Sequence, residues 1–100
     1  MDELFDILFE PVQIGPVVAP NRFYQVPHCN GLGYRMPRAH AAMRGMKAEG
    51  GWGVVNTEIV EIHHSTDMMP FAEGRLWEDR DIPAMQMMTE AVHRHGALAG

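Results

Sequence analysis

The segment NRFYQVPHCNGLG (residues 21–33) decides the fold of this chain. A short run of aromatic and β-branched residues comes first, then a proline, then the only cysteine of the sequence, then two glycines within three positions. This order is typical of a buried strand that runs into a loop at its carboxyl end. In parallel α/β proteins such loops converge on one crevice, where ligands and catalytic groups collect. We therefore expect Cys29 to lie at a functional edge of a parallel sheet.

The residues before this segment predict a small antiparallel hairpin. Residues 4–20 contain two short apolar pieces, at 7–9 and 17–18, and prolines and glycines interrupt them repeatedly. Such interruptions favour turns and edge pairing over a central strand. We expect this hairpin to cover one end of the molecule.

After this hairpin, strand patterns alternate with helix patterns. The strands are predicted at residues 23–26, in the first half of 52–62 and at 97–99, and the helices at 38–49 and between Asp81 and Gly96. Asp81 is the expected N-cap of the second helix, and glycines follow both helices, as is common after a helix end. Between the second strand and the second helix, residues 61–80 form a long connection without clear periodicity.

The first predicted helix has an apolar stripe. Helical spacing places four apolar side chains on the face expected to pack against the core: Ala39, Ala42, Met43 and Met46. The basic side chains of this region are expected to face solvent: Arg35, Arg38, Arg44 and Lys47.

The alternation of strands and helices predicts an α/β fold with a parallel sheet and right-handed crossovers. A closed (β/α)8 barrel needs at least about 200 residues, and no helix follows the third strand to cover it. We therefore expect the N-terminal portion of a (β/α)8 TIM barrel, with a short N-terminal β-hairpin and about two and a half βα units. Residues 1–100 would form an incomplete domain that folds poorly or associates by itself.

Composition excludes several classes of protein. The formal net charge of −5 and the sequence pI near 5.6 argue against a nucleic-acid binder, which usually carries a basic patch. The first residues are acidic where a secretory signal would be basic, and no stretch approaches the roughly 20 apolar residues of a membrane span. One cysteine permits no internal disulfide. We expect a cytoplasmic protein without nucleic-acid or membrane partners.

Two groups of histidines look like metal ligands but are not expected to bind a metal. Adjacent side chains such as His63 and His64, which Asp67 follows, point in different directions, and His93 and His95 lie at a helix end. Glu58 and Glu61 flank the second strand, which is weak support for a general base. Tyr34 and Trp77 lie in loops after strands and would reach a substrate or, more simply, pack on the surface.

The residues around Cys29 suit a reactive thiol held in a fixed place. Pro27 restricts the backbone before it, while Gly31 and Gly33 allow close approach of the main chain to a flat ligand. A free cysteine is also among the most commonly buried residues. From spacing alone, a small buried filler therefore remains the alternative for Cys29.

Five segments carry a resemblance to a known family: FEPVQIG (9–15), NRFYQVPHC (21–29), KAEGGW (47–52), NTE (56–58) and VHRHGALAG (92–100). Together they resemble the start of the trimethylamine and dimethylamine dehydrogenases. These enzymes belong to the Old Yellow Enzyme superfamily of FMN-dependent (β/α)8 barrels. The resemblance implies a flavin-dependent oxidoreductase.

The resemblance also implies roles for individual residues. Cys29 would carry FMN through a covalent bond from sulfur to the isoalloxazine C6, although other superfamily members tune the flavin from this position without a bond. Backbone groups of Val26, Pro27 and His28 would line the flavin. His28 would pack and hydrogen-bond beside the ring, with proton transfer as the alternative, and Ile59 would lie against the flavin or the substrate.

Further parts of the amine dehydrogenases lie outside these 100 residues. The resemblance implies a [4Fe-4S] cluster in a later cysteine-rich segment, electron transfer to an electron-transferring flavoprotein, and a homodimer at full length. Catalytic residues are expected on later strands, so none is assigned in this chain.

One position departs from the family pattern. Trimethylamine dehydrogenase has a tyrosine where this chain has Ile59, and that tyrosine forms one wall of an aromatic cage for the substrate cation. Isoleucine offers shape without the cation–π attraction of a ring. A methylated or larger amine is therefore expected as substrate.

Two other functions stay open from the sequence. One is an ene-reductase or 2,4-dienoyl-CoA-reductase-like enzyme that uses NAD(P)H and non-covalent FMN. The other is that the isolated 100-residue chain is a non-catalytic fragment.

Overall fold

The computed structural model describes residues 3–66 and 73–100. After a 3₁₀ helix at Glu3–Phe9, the strands are β1 (Val12–Ile14), β2 (Val17–Ala19), β3 (Tyr24–Gln25), β4 (Val54–Val55), β5 (Val60–Glu61), β6 (Gly74–Arg75) and β7 (Leu98–Ala99). The α-helices are α1 (Pro37–Glu49) and α2 (Ile82–His93), and short 3₁₀ helices lie at His64–Thr66 and Asp79–Asp81. Within these described ranges, neither α-helix combines the length and apolar character needed to cross a membrane.

The central sheet confirms the predicted parallel arrangement. Strands β3, β4 and β7 are neighbours in that order, and both pairs are parallel, with Tyr24 opposite Val54 and Val54 opposite Leu98. Helix α1 lies in the connection from β3 to β4, and α2 lies in the connection from β4 to β7. The carboxyl ends of the three strands therefore meet at one edge of the sheet.

The hairpin before the sheet is also present, with one difference. Strands β1 and β2 pair antiparallel, with Val12 opposite Ala19. Gly15 in the turn has φ +54°, a left-handed conformation that favours glycine. The apolar piece at residues 7–9 was expected in a hairpin strand but lies in the 3₁₀ helix Glu3–Phe9.

The strand predicted within residues 52–62 divides into two. Strand β4 ends at Val55, and β5 pairs in parallel with β6, Val60 lying opposite Gly74. The residues between β4 and β5, from Asn56 to Ile59, thus leave the central sheet and carry polar side chains to its carboxyl edge. The connection predicted as aperiodic contains β6 and two 3₁₀ helices, while its residues 67–72, with Asp67, lie outside the described part.

The predicted buried face of α1 is wrong. Met46 is 63% exposed, and the buried residues are His40, Ala41, Arg44, Gly45 and Ala48. Small residues face α2 because the helices approach closely: a Cβ on Gly45 would lie 3.2 Å from that of Ala91. The main core contains Ala41, Ala48, Val55, Met88, Val92 and Ala97. The side chains of His40 and Arg44 are buried because they meet partners at the carboxyl edge of the sheet.

Candidate functional site

The five residues that the sequence singled out lie around the carboxyl edge of the sheet. Val26, Pro27, His28 and Cys29 directly follow β3, and Ile59 directly precedes β5. All five are exposed, with Val26 65% and Ile59 50% accessible. Cys29 is exposed in this chain, so the buried-filler interpretation is wrong for these residues.

Glu58 holds the loop that follows Cys29. One carboxylate oxygen, Oε2, accepts the backbone N–H groups of Asn30 at 2.8 Å and Gly31 at 2.9 Å, and the other, Oε1, accepts that of Gly33 at 2.6 Å. The Glu58 residue is only 4% exposed. Hydrogen bonds to an ionised carboxylate are about twice as strong as neutral ones, so this side chain fixes the loop in one conformation. Gly31 adopts φ +75° within that loop, which favours glycine.

Arg44 holds the residue before Cys29. Its guanidinium donates to the carbonyl oxygen of His28 at 2.5 Å and lies 3.2 Å from Nδ1 of the same residue. Arg44 is fully buried, so its predicted solvent exposure is wrong. The physical reason is a partner distant in sequence, which the periodicity of the helix does not reveal. Together, Arg44 and Glu58 restrain the backbone on both sides of Cys29.

The hydrogen bonds of His28 define its protonation. Its Nδ1 lies 3.2 Å from Nη1 of Arg44 and 3.2 Å from Nε2 of Gln25. Both partners are nitrogen donors, so Nδ1 must accept, and a neutral His28 carries its proton on Nε2. Burial and the charge of Arg44 also lower the pKa of His28. His28 is therefore a neutral hydrogen-bond donor at Nε2.

His40 is a second neutral imidazole beneath the loop. Its Nε2 lies 2.9 Å from Oγ1 of Thr57, and its Nδ1 lies 3.9 Å from Oε1 of Glu58. Burial and the neighbouring Arg44 lower the pKa of His40, and together they outweigh the attraction of Glu58. The contact with Glu58 is consequently not an ion pair at neutral pH.

The Cys29 thiol is paired with a carboxylate. The thiol hydrogen-bonds to the side chain of Glu73, which raises the pKa of Cys29; the backbone of Ile59 opposes this shift, and the charge of Glu58 adds to it. Ligand atoms of Cys29, Glu58 and Glu73 lie within 4.8 Å of one another. Since both oxygens of Glu58 already accept backbone N–H groups, the arrangement suits a thiol–carboxylate pair better than a metal ion.

Polar side chains also form the base of the edge between β3 and β4. The backbone N–H of Asn56 donates to Oε1 of Gln25 at 3.1 Å, and Nδ2 of Asn56 donates to the Gln25 carbonyl at 2.6 Å. Four residues of the site were not predicted from the sequence: Gln25, Arg44, Asn56 and Glu73. A polar residue inside a buried strand, as at Gln25, and polar residues directly after one, as at Asn56, were the available signals.

Tyr34 and Trp77 pack on a buried ion pair. The Arg75 guanidinium carbon lies 4.4 Å from the centroid of each ring, and Arg75 Nη2 lies 2.9 Å from Oδ1 of Asp81. The packing interpretation of the two aromatic residues is thereby confirmed. Asp81 precedes α2 as expected, but its carboxylate accepts the N–H groups of Trp77 and Glu78 instead of capping the helix.

The histidines near the second strand form no ligand set in the described residues. The rings of His63 and His64 are stacked with centroids 4.2 Å apart, and Nδ1 of His63 lies 2.6 Å from Oγ of Ser65. Asp67, the third member of the sequence pattern, lies outside the described residues.

Sequence comparisons agree with the resemblance. The profile of the NADH:flavin oxidoreductase / NADH oxidase family matches residues 7–100. Dimethylamine dehydrogenase of Hyphomicrobium sp. (strain x) is 50% identical over 99 residues, which cover 99% of this chain and 14% of that protein. NADPH dehydrogenase of Listeria welshimeri serovar 6b is 32% identical over 84 residues, which cover 84% of this chain and 24% of that protein.

Solved structures similar to this chain also include amine-oxidising enzymes. Histamine dehydrogenase from Rhizobium sp. 4-9 superposes with a TM-score of 0.95 at 64% identity, covering 100% of this chain and 15% of that one. The 6-hydroxypseudooxynicotine amine oxidase from Pseudomonas geniculata N1 superposes with a TM-score of 0.93 at 47% identity, covering 99% of this chain and 15% of that one. Morphinone reductase, at 21% identity and a TM-score of 0.70, shares the fold.

The chain spans 14% to 25% of these relatives' lengths, and its fold is that of part of a (β/α)8 barrel. The family profile, the amine dehydrogenase relatives and the parallel βα units agree with one another. The chain belongs to the NADH:flavin oxidoreductase / NADH oxidase family.

Proposed function

We propose that this chain forms the beginning of an FMN-dependent amine dehydrogenase and that Cys29 carries the flavin. The observation that supports this most is the exposed thiol of Cys29, fixed between the anchors of Glu58 and Arg44 at the carboxyl edge of three parallel strands. In (β/α)8 barrels this edge is where active sites lie. The similarity to dimethylamine dehydrogenase and histamine dehydrogenase supports an amine as substrate.

The residues at this edge fit the isoalloxazine ring of FMN. The exposed side chains of Val26 and Ile59 offer apolar contact to a flat ring, and neutral His28 offers an N–H donor. The Cys29 thiol, next to the Ile59 backbone, offers a nucleophile to an electron-poor ring edge. When bound, FMN would accept two electrons from the substrate. The chain's own residues would bind the ring, orient it and keep its edge beside Cys29.

The substrate would be a methylated or larger amine. Ile59 is half-exposed at the edge of the proposed site and provides apolar contact without the cation–π attraction of an aromatic cage. The relatives are named for substrates as different as dimethylamine, histamine and 6-hydroxypseudooxynicotine, so the amine head is the shared feature. A carboxylate or carbonyl on a later strand would then have to recognise the ammonium group.

The complete enzyme would also contain parts outside this chain. By the resemblance to the amine dehydrogenases, we infer a [4Fe-4S] cluster that takes electrons from the flavin and an electron-transferring flavoprotein that accepts them. The same resemblance suggests a homodimer. Iron analysis of the full-length protein and its sedimentation behaviour would test these two inferences separately.

One observation favours a second candidate function. The NADPH dehydrogenase of Listeria is 32% identical to this chain, which is compatible with NAD(P)H-dependent reduction of a conjugated C=C bond by non-covalent FMN. This candidate needs the same ring-binding residues but assigns no bond to Cys29. The attachment of the flavin and the choice of reductant therefore distinguish the two functions.

The test uses the full-length protein. After acid denaturation, we expect the yellow colour to remain in the precipitate and the peptide containing Cys29 to carry the mass of FMN. Addition of methylated or larger amines under anaerobic conditions should bleach the flavin absorbance, whereas NAD(P)H should not. Release of free FMN together with rapid bleaching by NAD(P)H would instead establish the reductase. A Cys29→Ser variant is the control, because it removes only the proposed attachment atom.

A further inference from the structure

We propose that Glu73 is the positioning residue of Cys29: its carboxylate orients the thiol and restrains the reactivity of that thiol in the flavin-free protein. The proposal rests on the proposed function in one respect: the restraint would preserve the exposed thiol for FMN. The pairing of the two side chains is a property of the chain itself.

The geometry separates Glu73 from the other carboxylate near the thiol. Glu58 is within the same 4.8 Å cluster, but both of its oxygens accept backbone N–H groups from the loop. Glu73 is partly buried, and its Oε2 is buried without a hydrogen-bond partner among the described residues. Among the described residues, Glu73 is therefore the carboxylate within 4.8 Å of the Cys29 thiol that is free to accept from it.

The backbone keeps Glu73 in place. Its carbonyl oxygen accepts the N–H of Tyr34 at 2.7 Å, which ties the start of β6 to the loop after β3. The next residue, Gly74, donates its N–H to the Ile59 carbonyl at 3.0 Å. The carboxylate and the thiol are consequently carried by two segments that are hydrogen-bonded to each other.

The charges that face the thiol act in opposite directions. The carboxylates of Glu73 and Glu58 disfavour the thiolate, and they raise the pKa of Cys29. The Ile59 backbone and the guanidinium of Arg44, which interacts with Cys29 electrostatically, favour the thiolate. The hydrogen bond to Glu73 is the largest of these effects, so the balance shifts toward the thiol.

A less reactive thiol would let an exposed cysteine stay unmodified until the cofactor binds. Oxidation and alkylation require the thiolate and follow its exposure. Cys29 is exposed in this chain, and without Glu73 a larger fraction of it would be thiolate and open to both reactions.

The experiment measures Cys29 alkylation in flavin-free, full-length protein. The protein is produced under riboflavin limitation, and the rate of iodoacetamide labelling of the Cys29 peptide is followed by mass spectrometry between about pH 6 and pH 10. We expect the wild-type midpoint to lie above that of free cysteine. In Glu73→Gln the midpoint should fall. Each unit of fall should raise the rate at neutral pH about threefold, because tenfold more thiolate is partly offset by weaker nucleophilicity.

Two further variants distinguish a positioning role from a structural one. Glu73→Asp keeps the charge and should retain most of the raised midpoint. Glu49→Gln makes the same chemical change at an exposed position on α1 and should leave the midpoint unchanged.

Three results would overturn the proposal: an unchanged midpoint in Glu73→Gln, an equal shift in Glu49→Gln, or a wild-type midpoint at or below that of free cysteine. The last result needs no variant to fold. If FMN is absent from the wild-type Cys29 peptide but the Glu73 shift is present, the covalent function fails and the positioning role stands.

Discussion

The two ends of the central sheet are built by different interactions. At the amino end, three aromatic rings contact one another edge to face, with centroids 5.3 Å apart for Phe9 and Phe23 and 6.2 Å apart for Phe23 and Trp52. At the carboxyl end, the buried groups are polar or charged: Gln25, His40, Arg44, Asn56 and Glu58. Strands of the same sheet therefore connect an apolar end to a polar one.

This difference indicates what each end contributes. Aromatic contacts remove apolar surface from water and need no exact partner, so they stabilise without defining a reactive geometry. Buried charges are costly unless they are fully paired, and here the pairing partners are backbone groups on both sides of Cys29. The carboxyl end thus fixes one thiol with buried charges whose desolvation is unfavourable. Such an arrangement is expected where ligands bind.

We expect the largest effect on stability and on FMN attachment from removal of the Glu58 carboxylate at the carboxyl end of the sheet. Glu58→Ala removes the acceptor of three backbone N–H groups and removes the buried carboxylate that interacts electrostatically with Arg44. We expect a loss of about 3–5 kcal/mol in the free energy of unfolding and loss of FMN from Cys29. Urea unfolding of the full-length protein, followed by circular dichroism, measures the first effect, and peptide mass measures the second. Glu49→Ala, at an exposed site, should change stability by less than about 0.5 kcal/mol.

Arg44 tests whether the position before Cys29 is held as firmly as the one after it. Arg44→Met keeps the unbranched apolar stem of the side chain but removes two hydrogen bonds to His28. We expect a loss of about 2–3 kcal/mol and slower attachment of FMN at fixed FMN concentration. Arg44→Lys should recover little, because an ammonium cannot reproduce the planar fork of the guanidinium. Full recovery of stability and of the FMN attachment rate in Arg44→Lys would mean that only the charge at this position holds His28.

A substitution at Phe23 tests whether the amino end contributes to stability without affecting Cys29. Its ring is half-buried, so Phe23→Ala should cost about 1–3 kcal/mol, less than the truncation of a fully buried ring. Because the ring lies away from Cys29, the variant should keep its covalent FMN and the wild-type alkylation profile of its flavin-free form. A stability loss accompanied by loss of FMN at temperatures where the protein is folded would show that the two ends are coupled.

The order of strands and helices was predicted more accurately from the sequence than the contacts between buried side chains. Strand and helix alternation is a local pattern, so β3, α1, β4, α2 and β7 were all found in order, and the position of Cys29 followed from them. The face of α1 was wrong because Arg44 is buried by His28, sixteen residues earlier in the chain, and no periodicity contains that partner.

The same limit explains the divided second strand and the missing carboxylate. The apolar run that ends at Val55 has a clear strand pattern, but β5 exists only because it pairs with Gly74–Arg75, at the end of a connection without periodicity. Glu73 lies at that point, so its approach to Cys29 depends on strand pairing and not on local spacing. The roles of Val26, Pro27, His28 and Ile59 toward FMN stay predictions, although all lie exposed at the expected edge.

The smallest effect is a pH dependence that belongs to the carboxyl end alone. Burial and Arg44 hold the pKa of His40 below its ordinary value of 6.5, so the unfolded chain binds a proton more readily than the folded one. The contribution of His40 to stability should therefore be fully present above about pH 7 and should be lost as the pH drops through 6.5 toward the lower folded pKa. In His40→Gln this part of the acid loss should disappear, whereas Phe23→Ala should keep it, because that substitution leaves His40 and its neighbours unchanged. Thermal midpoints at a series of pH values measure the difference. An equal acid loss in His40→Gln and in the wild type would mean that folding leaves the pKa of His40 near its ordinary value. A smaller acid loss in the wild type than in His40→Gln would mean that the 3.9 Å contact with Glu58 is an ion pair.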